Sequence, residues 1–478
     1  MRRVSRLRSR VEFLSPTDLD LIHTSTMHVL SEVGVVVPVS QALEVFKKHG
    51  IRVDGQRVHP DETRLMDAIA NAPSEFTIRA RDPQRSVVVG RKQHVFVPGY
   101  GAPFIMEPDG TTRPGTLQDY ENLTRLADAL PNMDMSGHML VEPGDVPPLL
   151  AHLFTLRASM VNSSKPFMGS VHGLQGARAG LEMAEILFGG QASIREQPVM
   201  ISLINTLSPL SFSVEPIEAL MEYAHWRQPL LVSGYPNAGV SGPVTIAGSL
   251  IVANAEVLTG IVLTQLISPG TPMIYGGTGA AGDMRTANVT NGSPEGSIFT
   301  ACAAQLARYY ELPSRSGGCL TDSHLPDAQA GLESMMTMLT AVQSGINFVL
   351  HAGGMLSSYL TMSYEKMMID DEICGMVRRF EDGFGLEDVD LALDVIANVG
   401  PGGNFLTESH TVDRFRTELY LPRLANRSNV SRWQAQGQPT MADVARDRWR
   451  NVLAAHTAPT PDAATMALLN RYVETHTA

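Results

Sequence analysis

The densest reactive stretch of the chain is GGCLTDSHLPDAQAG, Gly317 to Gly331, which holds a thiol, hydroxyls, two carboxylates, an imidazole and an amide. Asp322 and His324 have the types that acid–base catalysis uses, and His351 lies further on. Cys319 beside His324 is where a zinc site would begin, but the chain has no CxxC or HExxH, and an isolated buried cysteine is usually a core thiol; no metal is expected. Asp327 comes directly after Pro326 at the start of a helical pattern, so capping competes with chemistry for that carboxylate.

These residues need elements to hold them. Eight short apolar runs recur, each introduced by a proline, a glycine or a polar residue: HVFVPGYGAPFIM from His94, PNMDMSGHML from Pro131, KPFMGSVHG, QPVMISLIN, QPLLVSGYP, TPMIYGGTG, LPSRSGG and GINFVLHAGG from Gly345. Segments with apolar residues at three- and four-residue spacing lie between them, such as DYENLTRLADAL and AGLESMMTMLTAVQSG. Strand and helix alternating at about 30 to 45 residues predict βα units around a parallel sheet, and eight of them predict an α/β fold of the (βα)8 TIM-barrel type. An open doubly wound sheet is the alternative, and no GxGxxG opens a helix after the first strand to favour it.

In such a barrel the chemistry sits at the carboxyl ends of the strands. The polar residues there are Tyr100, His138, His172, Asn205, Ser208, Tyr235, Thr278, Asp283, Asp322, His324 and His351. Glycines occupy the same points, among them Gly277, Gly353 and Gly354, and leave a mouth open to something wide and flat. Tyr100, Tyr235, Tyr275 and Tyr364, with Phe104, can build an aromatic wall for a quaternary ammonium at ~0.5–2 kcal/mol per cation–π contact. Glu365 is a further carboxylate near the mouth.

The net charge of −12 over 478 residues disfavours a nucleic-acid surface. Three scattered cysteines fit a reducing cytoplasm. The basic opening MRRVSRLRSR lacks the apolar core of a signal peptide and reads as a mobile tail; Ser249 to Ile267 is the longest apolar run, and with Asn254, Glu256 and Gln265 it reads as a buried helix rather than a membrane span. Residues 1–90 are expected to form an α+β appendage, 91–380 the barrel, and 381–478 a helical C-terminal extension packed on it.

TDSHLPDAQAG, HAGGMLSSYLTMSYEKMMIDDEICGM (His351 to Met376) and GPGGNFLTESHT (Gly400 to Thr411) together resemble the trimethylamine methyltransferase superfamily. The resemblance implies a barrel enzyme that passes a methyl group to the cobalt of a separate corrinoid protein, with no cofactor tightly bound by the chain itself. Founding members use pyrrolysine, whereas this sequence contains only the twenty standard residues and has Asn404 where many relatives have histidine. It is therefore similar to the non-pyrrolysine members, which demethylate glycine betaine and related quaternary amines. A quaternary nitrogen leaves as a neutral amine and needs no proton from the protein. On that footing Arg315 is a candidate for a substrate carboxylate, His351 and His324 for the carboxylate or the corrin edge, and the glycine-lined mouth for the corrinoid face. A homo-oligomer working with a corrinoid-binding partner, cob(I)alamin as methyl acceptor and a small quaternary amine is expected. A barrel lyase or hydrolase using His351 with Asp322 or Glu365, and a non-catalytic betaine binder, are the alternatives.

Overall fold

The structure, a computed structural model, describes residues 4–5, 9–286 and 288–477. Most of the basic opening stretch lies outside the described residues. The centre is a seven-stranded parallel sheet: β1 (Val95–Phe96), β2 (Phe167–Met168), β3 (Met200–Asn205), β4 (Leu230–Gly234), β5 (Met273–Gly277), β6 (Ser314–Gly317) and β7 (Phe348–Leu350). They lie in the order β2-β3-β4-β5-β6-β7-β1, so successive strands are neighbours with a helical crossover between them, the α/β arrangement that the repeating runs imply.

The run beginning at Pro131 is not a regular strand. Its residues 134–138 lie between β1 and β2: Asp134 N donates to Phe96 O at 2.8 Å, Ser136 N to Pro166 O at 2.9 Å, and Met168 N to Gly137 O at 3.2 Å. The ladder is broken because the Asp134 side chain takes the Phe96 N–H at 2.7 Å, where a backbone carbonyl would sit, and Gly137 turns at φ +78°.

Alternation along each strand decides what faces inward. Ile201 and Leu203, Leu231, Ile274, and Phe348 and Leu350 form one apolar cluster inside the sheet. The cluster is completed by Phe76, Ile78, Val87 and Val89 from the antiparallel hairpin Glu75–Ile78/Val87–Gly90, so part of the N-terminal region packs into the sheet's core. Helix Pro16–Glu32 starts with Pro16 and a capping box between Ser15 and Asp18, and it lies against helix Ile246–Ile267. That helix, long and apolar enough to cross a bilayer, is mostly buried inside the protein against β4 and β5. Helices Met441–Ala455 and Ala463–Thr477 pack on Tyr364–Asp382 and on Gly173–Phe188, respectively.

The same alternation corrects the reading of several glycines as an open mouth. Gly277 faces outward, and a Cβ there would come 2.2 Å from that of Ala303 on helix Pro294–Tyr309. At Gly353 a Cβ would meet Met133 at 3.1 Å, and at Gly354, with φ +94°, it would meet the Met362 sulfur at 2.2 Å; both residues are buried under the last strand's loop. These positions bring elements together and present no face to a flat ligand. Gly277→Ala should therefore cost about 1–3 kcal/mol of stability through overpacking, measured by denaturant unfolding; unchanged stability would contradict the packing role.

Candidate active site

Above the apolar layer the inward positions turn polar at the carboxyl ends of the strands. Asn205 ends β3, Ser233 lies on β4, Thr278 sits just past β5, Arg315 lies on β6 and His351 sits just past β7. With Tyr100, Tyr235 and Tyr359 above them they line a cavity of about 440 Å³. Among the described residues no carboxylate lines it.

Arg315 is 4 % exposed. Its Nη1 donates to Ser233 Oγ at 2.9 Å and to Thr278 Oγ1, while Nε has no partner, and the guanidinium forms no ion pair among the described residues. Burial pushes its pKa down to about 10, partly opposed by the phenols of Tyr359, Tyr235 and Tyr100, so it remains a cation at neutral pH. An unpaired buried cation of this kind is costly unless something anionic joins it.

His351 stands beside it with φ +60° and its ring 4.5 Å from that of Tyr359. Burial first, and then the charge of Arg315, hold its pKa well below the usual histidine range. The ring is neutral, and its Nδ1 has no partner among the described residues. Tyr235 and Tyr359 meet edge to face at 6.2 Å. Burial raises the pKa of Tyr100, Tyr235 and Tyr359 alike, so all three present neutral phenols.

The walls are fixed from behind by two carboxylates outside the cavity. Glu256, fully buried on helix Ile246–Ile267, accepts from Thr206 Oγ1, from Ser208 Oγ at 2.8 Å and from Leu210 N at 2.7 Å, shaping the loop after β3. Asp322 accepts from Asn291 N at 2.7 Å, Gly292 N at 3.1 Å and Ser358 Oγ at 2.6 Å. Asn291 Oδ1 in turn accepts from the Tyr235 hydroxyl, and Ser358 precedes Tyr359. Asp322 therefore ties both aromatic walls together and is a positioning residue; the reading of it as a catalytic acid or base is corrected.

Of the candidates from the sequence, Tyr100, Asn205, Ser208, Tyr235, Thr278, Arg315 and His351 share this cavity. The others do not reach it. Tyr275 faces outward because Ile274 and Gly276 take the inward positions of β5; it is buried among helices and donates to Asn254 Oδ1 at 3.0 Å. Tyr364 donates to Asp119 Oδ1 at 2.9 Å and stacks on Trp449. Glu365 accepts from Trp449 Nε1 at 3.1 Å and lies 3.4 Å from Arg446, which fastens the C-terminal helices. Phe104 is exposed on strand Phe104–Met106. His172 stands at the start of helix Gly173–Phe188 without capping it: its Nδ1 lies 3.1 Å from Ser170 Oγ and its ring stacks on that of His152. His324 is exposed in an outer groove of about 1060 Å³, with Nδ1 2.9 Å from Ser357 Oγ. Asp327 caps helix Ala328–Ser344 through Ala330 N at 3.0 Å. The histidine–carboxylate pair of a lyase or hydrolase is thus not assembled, and no group of three or more possible metal ligands occurs among the described residues.

Tyr359 and Asn291 escaped the sequence reading, and Glu256 enters it only as a polar residue within a buried helix. Tyr359 lies eight positions beyond His351, past the immediate strand end, and Glu256 sits in a run that looks merely apolar.

A family model described as trimethylamine methyltransferase matches residues 1–478. The chain belongs to that family. It is 45 % identical over 470 residues to the glycine betaine methyltransferase of Desulfitobacterium hafniense strain Y51, covering 98 % of each chain. It is 32 % identical to the proline betaine:corrinoid methyltransferase of Eubacterium limosum, over 97 % of each. It is also 32 % identical to the trimethylamine methyltransferase of Methanosarcina thermophila, over 93 % of each. The crystal structure of Methanosarcina barkeri monomethylamine methyltransferase aligns with a TM-score of 0.55 at 15 % identity, covering 93 % of this chain and 89 % of that one, which places the fold. As a family member this chain is a methyltransferase, and one built from standard residues alone.

Asp322→Ala should speed amide exchange at Asn291 and Gly292 and lower stability by about 1–3 kcal/mol, while leaving protection of Ile201 to Leu203 unchanged. Exchange at Asn291 equal to wild type would remove Asp322 from its positioning role.

Proposed function

We propose that this methyltransferase takes a methyl group from a betaine, a small molecule carrying both a quaternary ammonium and a carboxylate, and delivers it to the Co(I) of a corrinoid held by a partner protein. The observation that carries this reading is Arg315: a buried cation without an ion-pair partner, in a cavity free of carboxylates and walled by three tyrosines. Simple methylammonium ions would find repulsion there. A betaine carboxylate supplies the missing anion, with Arg315 Nε as the open donor and His351 beside it. Tyr100, Tyr235 and Tyr359 then surround the quaternary nitrogen through their ring faces. The 45 % identical glycine betaine methyltransferase and the proline betaine:corrinoid methyltransferase support this substrate class and acceptor.

The same reading takes residues 134–138 as the eighth stave, closing the sheet into a barrel whose mouth is this cavity. Arg315 lies on a strand and the tyrosines lie beyond the strand ends. The carboxylate therefore enters first, and the ammonium rests nearer the mouth with one methyl facing out. The corrinoid supplies the electron pair that takes the methyl, and the C–N pair stays on the departing neutral amine. The chain's own residues orient the methyl and exclude water. They move no proton, which agrees with a neutral His351 and with phenols whose pKa values lie above their ordinary range.

With cob(I)alamin as acceptor and glycine betaine as donor, methylcobalamin formation tracked by absorbance should be robust for the wild type and negligible with choline, which lacks the carboxylate. Arg315→Met should reduce kcat/KM about 100-fold, the loss of a charge-assisted pair. Because Arg315 stays charged and His351 neutral, betaine affinity should be flat between about pH 6 and 8. Comparable rates with choline, or an unimpaired Arg315→Met, would overturn the assignment.

A further inference from the structure

We infer that Lys366 and Asp370, paired as ions, are positioning residues for the methyl transfer: they hold the loop after β7 so that His351 stands beside Arg315. This rests on the reading of His351 and Arg315 as the carboxylate end of the cavity. Lys366 and Asp370 lie one turn apart on helix Tyr364–Asp382, where their side chains pair, and both are fully buried. Around them in the sequence stand the buried apolar residues Met367, Met368, Ile369 and Ile373. A charge pair in such surroundings loses hydration on both partners, and apolar side chains of similar size often serve stability as well or better. The further hydrogen bonds of the two groups supply another reason for the pair.

Asp370 Oδ2 accepts from Gly354 N at 2.8 Å, and Lys366 Nζ donates to Cys319 O at 3.4 Å. One pair thus grips the loops after β7 and after β6. Those loops are joined to each other by Gly318 N to Leu350 O at 2.9 Å and Cys319 N to His351 O at 3.0 Å. On the other side Ala352 N donates to Val97 O and Gly99 N to Gly353 O, both at 2.8 Å, directly before Tyr100. His351, at the centre of these bonds, is a non-glycine residue at φ +60°, a conformation that persists only where its surroundings over-determine it. Gly354 is fixed at both ends, its N–H on Asp370 and its carbonyl accepting from Ser363 N at 2.9 Å. Burial pushes the Asp370 pKa up to about 6, and Lys366 is the first of the groups opposing that shift, so the ammonium keeps the carboxylate an acceptor. Releasing Gly354 would free His351 to move against Arg315, and Tyr100 with it.

Single substitutions would leave a buried charge without its partner, whereas paired ones remove both. Lys366→Met with Asp370→Leu should unfold at a denaturant concentration close to that of the wild type. Without substrate, amide exchange at Gly99, Ala352 and Gly354 should be at least about 10-fold faster, with Ile201 to Leu203 unchanged. With cob(I)alamin as acceptor, KM for glycine betaine should rise about 10-fold and kcat change by less than about threefold, because the carboxylate is held alike in the ground and transition states. A pair that serves stability alone would move neither quantity in a variant of undiminished stability. Lys366→Met with Asp370→Asn, which keeps an uncharged acceptor for the Gly354 N–H, should return KM and exchange to within about threefold of wild type. Unchanged exchange, a loss of stability that accounts for faster exchange, no recovery with the asparagine variant, or an unchanged KM in a protein that Arg315→Met does impair would overturn the inference. An unimpaired Arg315→Met instead overturns the carboxylate reading, and the exchange rates then decide the role of the pair by themselves.

Discussion

A guanidinium without a counter-ion, buried at the carboxyl end of a parallel sheet, is the constraint around which the mouth is arranged. Moving such a charge out of water costs several kcal/mol even after the protein relaxes. Two hydroxyls, from Ser233 and Thr278, answer one nitrogen of Arg315 and leave Nε open. The neighbouring groups respond to that charge. His351 is kept neutral by burial and by the cation beside it, so the cavity holds one positive charge rather than two. Free energy left unsatisfied in the empty site becomes available to an anionic ligand, which is the physical meaning of preorganisation.

The carboxylates nearest the site work from outside it. Glu256 and Asp322 each accept three hydrogen bonds, Glu256 from the one loop after β3 and Asp322 from two loops, at 291–292 and at Ser358. A carboxylate facing the cavity would neutralise Arg315 and remove the reason for a zwitterion to enter. Placed behind the walls, the same charge is spent on backbone N–H and hydroxyl groups, which holds loops that lack regular secondary structure. Helix Ile246–Ile267 illustrates the division: its length is apolar core, and its single carboxylate reaches the loop after β3.

The fold was legible because its signal is periodic. Seven of the eight runs are strands, and helices 16–32 and 328–344 begin at the caps their sequences announce. The run from Pro131 differs because one side chain, that of Asp134, replaces a carbonyl in the ladder, an event that no local pattern reports. In the site, Arg315, His351, Tyr100 and Tyr235 were legible because they lie on or just past the ends of apolar runs, where a parallel sheet places its polar mouth. Tyr275 was misplaced although strict alternation with Ile274 and Gly276 turns it outward. Tyr364 and Glu365 were misplaced because their partners, Asp119 and Trp449, are 245 and 84 positions away. Contacts across such separations come from tertiary packing, which strand-end logic does not contain.

The stretch Gly317 to Gly331 shows how density of functional groups misleads. Its thiol is buried, Asp322 is committed to two neighbouring loops, His324 faces an outer groove and Asp327 caps a helix. The residue on which the proposed function rests is Arg315, two positions upstream on the strand itself, where an apolar side chain would be ordinary. Inward positions of a parallel sheet are filled by large apolar side chains in the layer below, as Leu231, Ile274 and Phe348 are here. A charged side chain in that series departs from the packing rule at a cost, and the departure marks the site more clearly than any cluster of reactive groups on a loop.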